Sequence, residues 1–454
     1  MKKMFGVLAL AAVLLFAGAA CNTSDDKPDE TEKNTVAATN PATDPATDPV
    51  TDPATDPATE PETEPETEPA TDPATEPETE PETEPETKEE IVMTEEQKEL
   101  MKLVTPFWKG DTMHRESIIM VQREDGTITA KTLFKPTKII SIQSFDLKTE
   151  YVEGTDWTWD GTTNTITWVN GSSIPYFTEN SLHGRNEDGT PFATFPEWDS
   201  QNRTTIGNAM YTVSPFLWER QINITYEYEG EWTGPKTEYQ SEKLSKTLAK
   251  LKNGEDVHIT FFGDSIFTGC DSSKMHNHEP YQDGFPVLVE KALEATYGSE
   301  VYVHNPSVGG QTSAWGKDSA QAEVCDKTEK LDLLFIGFGQ NDAQLSGRRV
   351  AEAVRSAIDT IRAKYPDCEV VVVATLRANP DSGFCINQGS HAEMFQKYIC
   401  EKRDNVALVD TFATHDALLA TKDYMATSGN GINHPNDWFI RIHAMQLLST
   451  LIEF

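Results

Sequence analysis

The chain is poor in cysteine, with six in 454 residues. Setting Cys21 apart leaves Cys270, Cys325, Cys368, Cys385 and Cys400, and no two of them have the close spacing of a zinc site. A disulfide framework in an exported protein would be denser and even in number. These five are read as small apolar residues, left free or with a single disulfide between Cys385 and Cys400. A basic patch or arginine-rich stripe is also missing, which argues against a nucleic-acid partner. The apolar stretch Met4 to Phe16 is short for a membrane-spanning helix.

Acid and proline are abundant, but in one place. The net charge is −36, and residues 24–90 hold 23 Asp/Glu against 3 Lys, so −20 of it lies there. From Pro41 to Pro85 the chain repeats Thr-Asp/Glu-Pro-Ala/Glu with period four. Proline fixes φ and removes a donor, and the acids repel one another. Nothing in the repeat is large and apolar enough to bury, so residues 21–90 are expected to be a disordered stalk. As polyproline II the repeat would reach on the order of 140 Å. A calcium-binding tract is the rival reading, but carboxylates held apart by proline do not converge easily on one ion.

Ahead of the stalk, Lys2 and Lys3 precede the apolar stretch, and Ala17-Gly18-Ala19-Ala20-Cys21 follows it. This reads as a signal peptide over residues 1–20. The cysteine after small residues resembles a bacterial lipobox, although Gly18 stands where leucine is usual. The expectation is lipidation of Cys21 and a membrane-anchored protein on the bacterial cell surface. Plain secretion and an uncleaved anchor are the alternatives.

Residues 91–238 read as β-rich. A capping-box pattern at Thr94-Glu95-Glu96-Gln97 opens a short helix. Short β-branched and aromatic runs follow, among them Ile118–Val121, Ile139–Ile142, Thr165–Trp168 and Gln221–Tyr226, separated by Asp-Gly and Asn-Gly turns. Many strands without intervening helices predict an all-β sandwich or jelly-roll-like domain. Residues 170–208 are polar and irregular, and a long excursion is expected there.

Residues 239–454 change period. Five apolar runs, at 257–262, 301–304, 331–338, 369–375 and 406–409, alternate with helical patterns at 284–297, 349–364, 390–402 and 437–452. That alternation predicts an α/β domain, with a five-stranded parallel sheet covered by helices on both faces.

Four groups in this half carry chemistry. Gly263-Asp264-Ser265 ends the first strand, where a rigid sheet can present a side chain at its carboxyl edge. Asn305 to Gly310 follows the second strand, and its paired glycines let backbone N–H groups approach a ligand. Gly339-Gln340-Asn341-Asp342 follows the third, and an Asn amide is a neutral oxyanion donor. Asn433-His434-Pro435 precedes the last helix and supplies a side chain that exchanges protons near neutrality. Taken singly, each would read as an ordinary turn, cap or structural histidine.

Together, and in this order, they resemble the SGNH/GDSL hydrolase superfamily. The resemblance implies a three-layer α/β/α flavodoxin-like fold and a serine ester hydrolase without metal or organic cofactor. It implies Ser265 as nucleophile and His434 as base, with Ser265 N–H, Gly310 N–H and the Asn341 side chain as oxyanion hole. One position departs. The family's acid three residues before the histidine is Gly431 here. Either a backbone carbonyl orients His434, leaving a Ser-His dyad, which is preferred, or a displaced acid such as Asp437 or Asp423 does so.

A β-rich part ahead of the hydrolase domain resembles the two-domain carbohydrate esterases of family two, which are acetyl esterases. Asp264 and Trp315 are candidate substrate contacts, Trp315 as a ring for a sugar face, with packing under its loop as the alternative. The expectation is a surface-anchored esterase removing small acyl groups, O-acetyl above all, from a polysaccharide or oligosaccharide. The alternatives are an esterase or lipase on small or lipid esters, and a non-catalytic glycan-binding protein.

Overall fold

A computed structural model describes residues 91–193 and 204–454. The expected signal peptide, Cys21 and the stalk lie outside the described residues. The described residues fall in one compact unit, Glu90–Phe454.

The first half opens with helix α1 (Glu95–Val104), and both capping-box bonds at Thr94 and Gln97 are formed. Strands β1 (Thr112–Gln122), β2 (Ile128–Lys131), β3 (Pro136–Gln143), β4 (Trp157–Trp159), β5 (Thr165–Trp168) and β6 (Tyr176–Phe177) follow. After α2 (Glu179–Leu182) come the small hairpin β7 (Thr205–Ile206) and β8 (Ala209–Met210), then α3 (Pro215–Trp218) and β9 (Gln221–Tyr228). Apart from that hairpin, these strands form one seven-stranded sheet of order β3-β9-β1-β2-β5-β4, with β6 on β1. Its pairs are antiparallel except β1 with β6. The long β1 joins two groups of strands, since Thr112 to Ile119 pair with β9 while Met120 to Gln122 pair with β2 and β6.

The second half contains α4 (Ser245–Asn253), β10 (Val257–Gly263), α5 (Phe285–Tyr297), β11 (Val301–His304), α6 (Ser313–Ala320) and β12 (Leu333–Gly337). It continues with α7 (Gly347–Lys364), β13 (Glu369–Ala374), α8 (His391–Tyr398), β14 (Val406–Asp410), α9 (Thr411–Leu418) and α10 (Asp437–Ser449). The five strands are parallel, in the order β11-β10-β12-β13-β14. Counted along the chain this is 2-1-3-4-5, the flavodoxin-like order, which places the topological switch point at the carboxyl end of the first strand.

Residues alternate between the two faces of this sheet, as strand geometry requires. Ile259, Phe261, Leu333 and Phe335 face one core with α5 and α10, while Phe262, Leu334 and Ile336 face another with α7 and α8. The first core continues into the antiparallel sheet through Ile118, Ile222, Ile224 and Tyr226. Helix α10 is therefore covered on all sides, and every residue from Trp438 to Ser449 is buried. The two halves expected from the sequence thus share a hydrophobic core.

A buried ion pair ties the halves together. Lys422 donates to Glu116 on β1, both side chains being at most 1% exposed. Glu116 also accepts from the Leu133 N–H at 2.8 Å and from the Tyr226 hydroxyl at 2.6 Å. The five cysteines are free, so the Cys385–Cys400 disulfide is not formed.

Candidate active site

Gly263 ends β10 opposite Gly337 of β12. A Cβ at either glycine would stand within 2.5 Å of the Phe267 ring, so two bare strand ends make the floor on which Phe267 lies. The chain then turns sharply: Phe267 N–H donates to Asp264 O at 3.1 Å, and Thr268 Oγ1 to Ser265 O at 2.7 Å. Ser265 is thereby fixed at the mouth of the switch point, 5% exposed.

The loop after β11 is stapled to the same strand end. Ser307 Oγ accepts from Gly263 N–H at 3.0 Å, and Val308 N–H donates to Gly263 O at 3.2 Å. A Cβ on Gly309 would come within 3.7 Å of the Ser265 Cβ, so the Gly309-Gly310 turn lies against the serine. Gly310 has φ +76°. Asn341, after β12, donates from Nδ2 to Gln311 O at 2.9 Å, which joins the third-strand loop to the second. A carboxamide has two N–H donors, so one remains for a ligand. Asp342 does not face the serine; it accepts from Ser313 N–H at 2.9 Å and Ser313 Oγ at 2.8 Å, steadying the start of α6.

His434 arrives from a tightly bonded loop. Asn430 Oδ1 accepts from Ile432, Asn433 and His434 N–H, and His434 O accepts from Gly429 N–H and Ser428 Oγ. With the backbone held on both sides, His434 Nε2 lies 2.9 Å from Ser265 Oγ.

The other ring nitrogen corrects the sequence reading. His434 Nδ1 lies 2.9 Å from Asp271 Oδ2. The partner is neither a backbone carbonyl, as a dyad requires, nor Asp437, nor Asp423. Asp437 accepts from Ser273 N–H at 2.9 Å, and burial pushes its carboxyl up. Asp423 pairs with Arg123 at 3.7 Å. Asp271 comes from the nucleophile's own loop, six positions beyond Ser265, where its backbone takes φ +64°. Gly429 makes room for it, since a Cβ there would stand 2.5 Å from the Asp271 Cβ. Position 431 cannot hold the usual acid: Gly431 has φ +80°, and a Cβ would fall 2.2 Å from Met210 O. The β7–β8 hairpin therefore closes the position before the histidine, and the nucleophile loop supplies the carboxylate instead.

Burial opposes ionisation of Asp271, yet the rings of His434 and His276 hold its carboxyl well below the usual carboxylate range. An ionised carboxylate only accepts, so Nδ1 of His434 carries the proton and Nε2 is free to receive one from Ser265. Asp264 behaves in the opposite way. It is 1% exposed, its Oδ1 accepts from Ile266 N–H at 3.0 Å, and burial with Asp342 nearby pushes it up to about 7. It caps the turn after the serine and is not open to substrate. Trp315 is half-buried and packs against Phe262 at 5.7 Å and Phe338 at 6.2 Å under the loop.

An open α/β sheet with a serine, a histidine and a buried carboxylate joined by two 2.9 Å contacts at its switch point is the arrangement of a serine hydrolase. Residues 261–438, which carry the site, match the family model described as GDSL-like Lipase/Acylhydrolase family. None of the curated proteins compared with the chain matches it. Among solved structures it is similar to a two-domain esterase active on acetylated mannans (22% identity, 48% of this chain and 54% of that one, TM-score 0.39). It is also similar to an acetylxylan esterase from Geobacillus stearothermophilus (19% identity, 42% and 92%, TM-score 0.35). A lipolytic G-D-S-L family protein from Veillonella parvula is a third (19% identity, 42% and 96%, TM-score 0.35). The match spans about half the length of the mannan esterase.

Proposed function

We propose that this chain is a surface-anchored serine esterase that removes small acyl groups, O-acetyl above all, from polysaccharide. The hydrogen-bonded series Ser265–His434–Asp271 is the observation that carries the catalytic part. Ser265 Oγ attacks the acetyl carbonyl carbon while its proton passes to His434 Nε2. The carbonyl oxygen becomes an oxyanion, held by Ser265 N–H, Gly310 N–H and the remaining N–H of Asn341. Asp271 stays ionised and stabilises the imidazolium through Nδ1–H. Collapse breaks the bond to the sugar oxygen, which leaves with the proton from His434. Water then repeats the sequence on the acyl-serine, releasing acetate and returning the proton to Ser265.

The preference for a small acyl group and a polar alcohol rests on the loop beside the serine. Gly309-Gly310-Gln311-Thr312-Ser313 offers polar and backbone groups, whereas a long acyl chain would need an apolar groove. The polysaccharide and the anchor rest on the signal-like residues 1–20 with Cys21 and on the acidic proline-rich repeat that follows in the sequence. The test is acetate release from a panel of acetylated polymers, set beside hydrolysis of long-chain p-nitrophenyl esters. Wild type should favour the polymers, and Ser265→Ala should abolish release. Preference for long-chain esters would favour the lipase reading. Glycan binding with no release would leave a binding protein, and activity surviving in Ser265→Ala would overturn the site.

A further inference from the structure

The carboxylate that supports His434 is shared. Asp271 Oδ2 faces His434, and its other oxygen, Oδ1, lies 2.7 Å from Nε2 of a second histidine, His276. Local turns bring His276 back onto the acid: Met275 and His276 N–H both donate to Ser272 O. The ring is then held from the antiparallel half. Trp218, at the end of α3, lies 5.3 Å from His276 at an interplanar angle of 31° and stacks on His278 at 4.1 Å. Trp218, His278 and Asp271 line one small cavity of about 50 Å³. The ring of His278 lies 6.4 Å from that of His276, and the cavity that His278 and Asp271 line also holds Arg115, Asp437 and Arg441.

We infer that His276 is a positioning residue: by donating from Nε2 to Asp271 Oδ1 it fixes the rotation of the carboxylate that orients His434. The inference rests on the esterase reading of Ser265 and His434. A carboxylate buried among loop turns has no sheet or helix of its own to set its torsion. With one oxygen tied to His276, the other is aimed at His434 Nδ1.

Two substitutions in the full chain test this, with p-nitrophenyl acetate as probe. His276→Phe keeps a ring for Trp218 but removes the donor, while His276→Gln keeps an N–H within reach of Oδ1. For His276→Phe the expectation is a kcat lower by about tenfold, as for loss of one charge-assisted hydrogen bond, with KM little changed. The far-downfield proton signal of His434 Nδ1–H should weaken. His276→Gln should recover most of the kcat and the signal. Wild-type kcat and proton signal in His276→Phe would overturn the inference, as would a His276→Gln no better than His276→Phe. Those outcomes leave the esterase reading intact so long as Ser265→Ala is inactive, whereas activity in Ser265→Ala refutes the site itself.

Discussion

Replacing Asp271 by Asn is the sharpest test of how the serine is activated. The carboxylate now accepts from two histidines, His434 at 2.9 Å and His276 at 2.7 Å. An amide has one oxygen and one NH2, so it can satisfy only one donor. If the NH2 faces His434, Nδ1 must accept, the ring proton moves to Nε2, and the base has no lone pair for Ser265. If the oxygen faces His434, the NH2 meets His276, which must change tautomer. In either case the negative charge that stabilises the imidazolium is gone. Where a triad aspartate has been exchanged for asparagine with geometry intact, kcat falls by about 10⁴. A loss of roughly 10³ to 10⁴ is therefore expected here, or about 4 to 5.5 kcal/mol at 1.36 kcal/mol per tenfold. The assay is kcat and KM for p-nitrophenyl acetate, with circular dichroism and a thermal melt as controls for folding. A dyad supported by a backbone carbonyl would lose less than about tenfold, and a folded Asp271→Asn within that range would refute the reasoning. The substitution also changes the pH dependence of stability. The Asp271 carboxyl is lower in the folded chain than its ordinary value of 3.8. Its stabilising contribution is complete above that value and is lost as pH falls toward the folded value, so the two proteins should converge in stability in acid.

Two further substitutions probe the frame around the site. Asp264 is raised from 3.8 to about 7, so its ionisation weakens the fold progressively between those values; Asp264→Asn should melt higher than wild type at pH 8 and show no such advantage below about pH 4, and an equal difference at both would refute the assignment. Lys422→Met leaves Glu116 charged and buried with only the Leu133 N–H and the Tyr226 hydroxyl, and should cost about 3–5 kcal/mol by denaturant unfolding; a loss under about 1 kcal/mol would show that these two donors suffice.

Much of the catalytic half was legible because its elements are local. Strands such as Val257–Gly263 and Glu369–Ala374 announce themselves as apolar β-branched runs, since both faces of a parallel sheet are buried. Ser265, Gly310, Asn341 and His434 each follow or precede an element in a recognisable short motif, and the turn geometry that displays them is encoded within a few residues. The capping box at Thr94 was legible for the same reason. The supporting acid was not. Asp271 stands in Gly269-Cys270-Asp271-Ser272-Ser273, a run that looks like an ordinary loop. Its one sequence signal is a spacing of six from the serine, which means nothing until Gly429 is known to open the space for it. His276 and Asn430 were missed because their partners, Asp271 and the backbone from Ile432 to His434, are defined only by the folded loops.

Hydrophobic period and turn chemistry act over short distances, so the residues alone point to the α/β half, the β-rich half before it, and the serine and histidine that meet at the strand end. Tertiary structure decided what activates the serine. Position 431 is closed by Met210 O, a contact 221 residues away in the chain, and the carboxylate comes from the nucleophile's own loop. It also decided that the two halves share a core, through α10, the Glu116–Lys422 pair and Trp218 against His276 and His278. Such contacts depend on which loops meet in space, and no local pattern of residues carries that information.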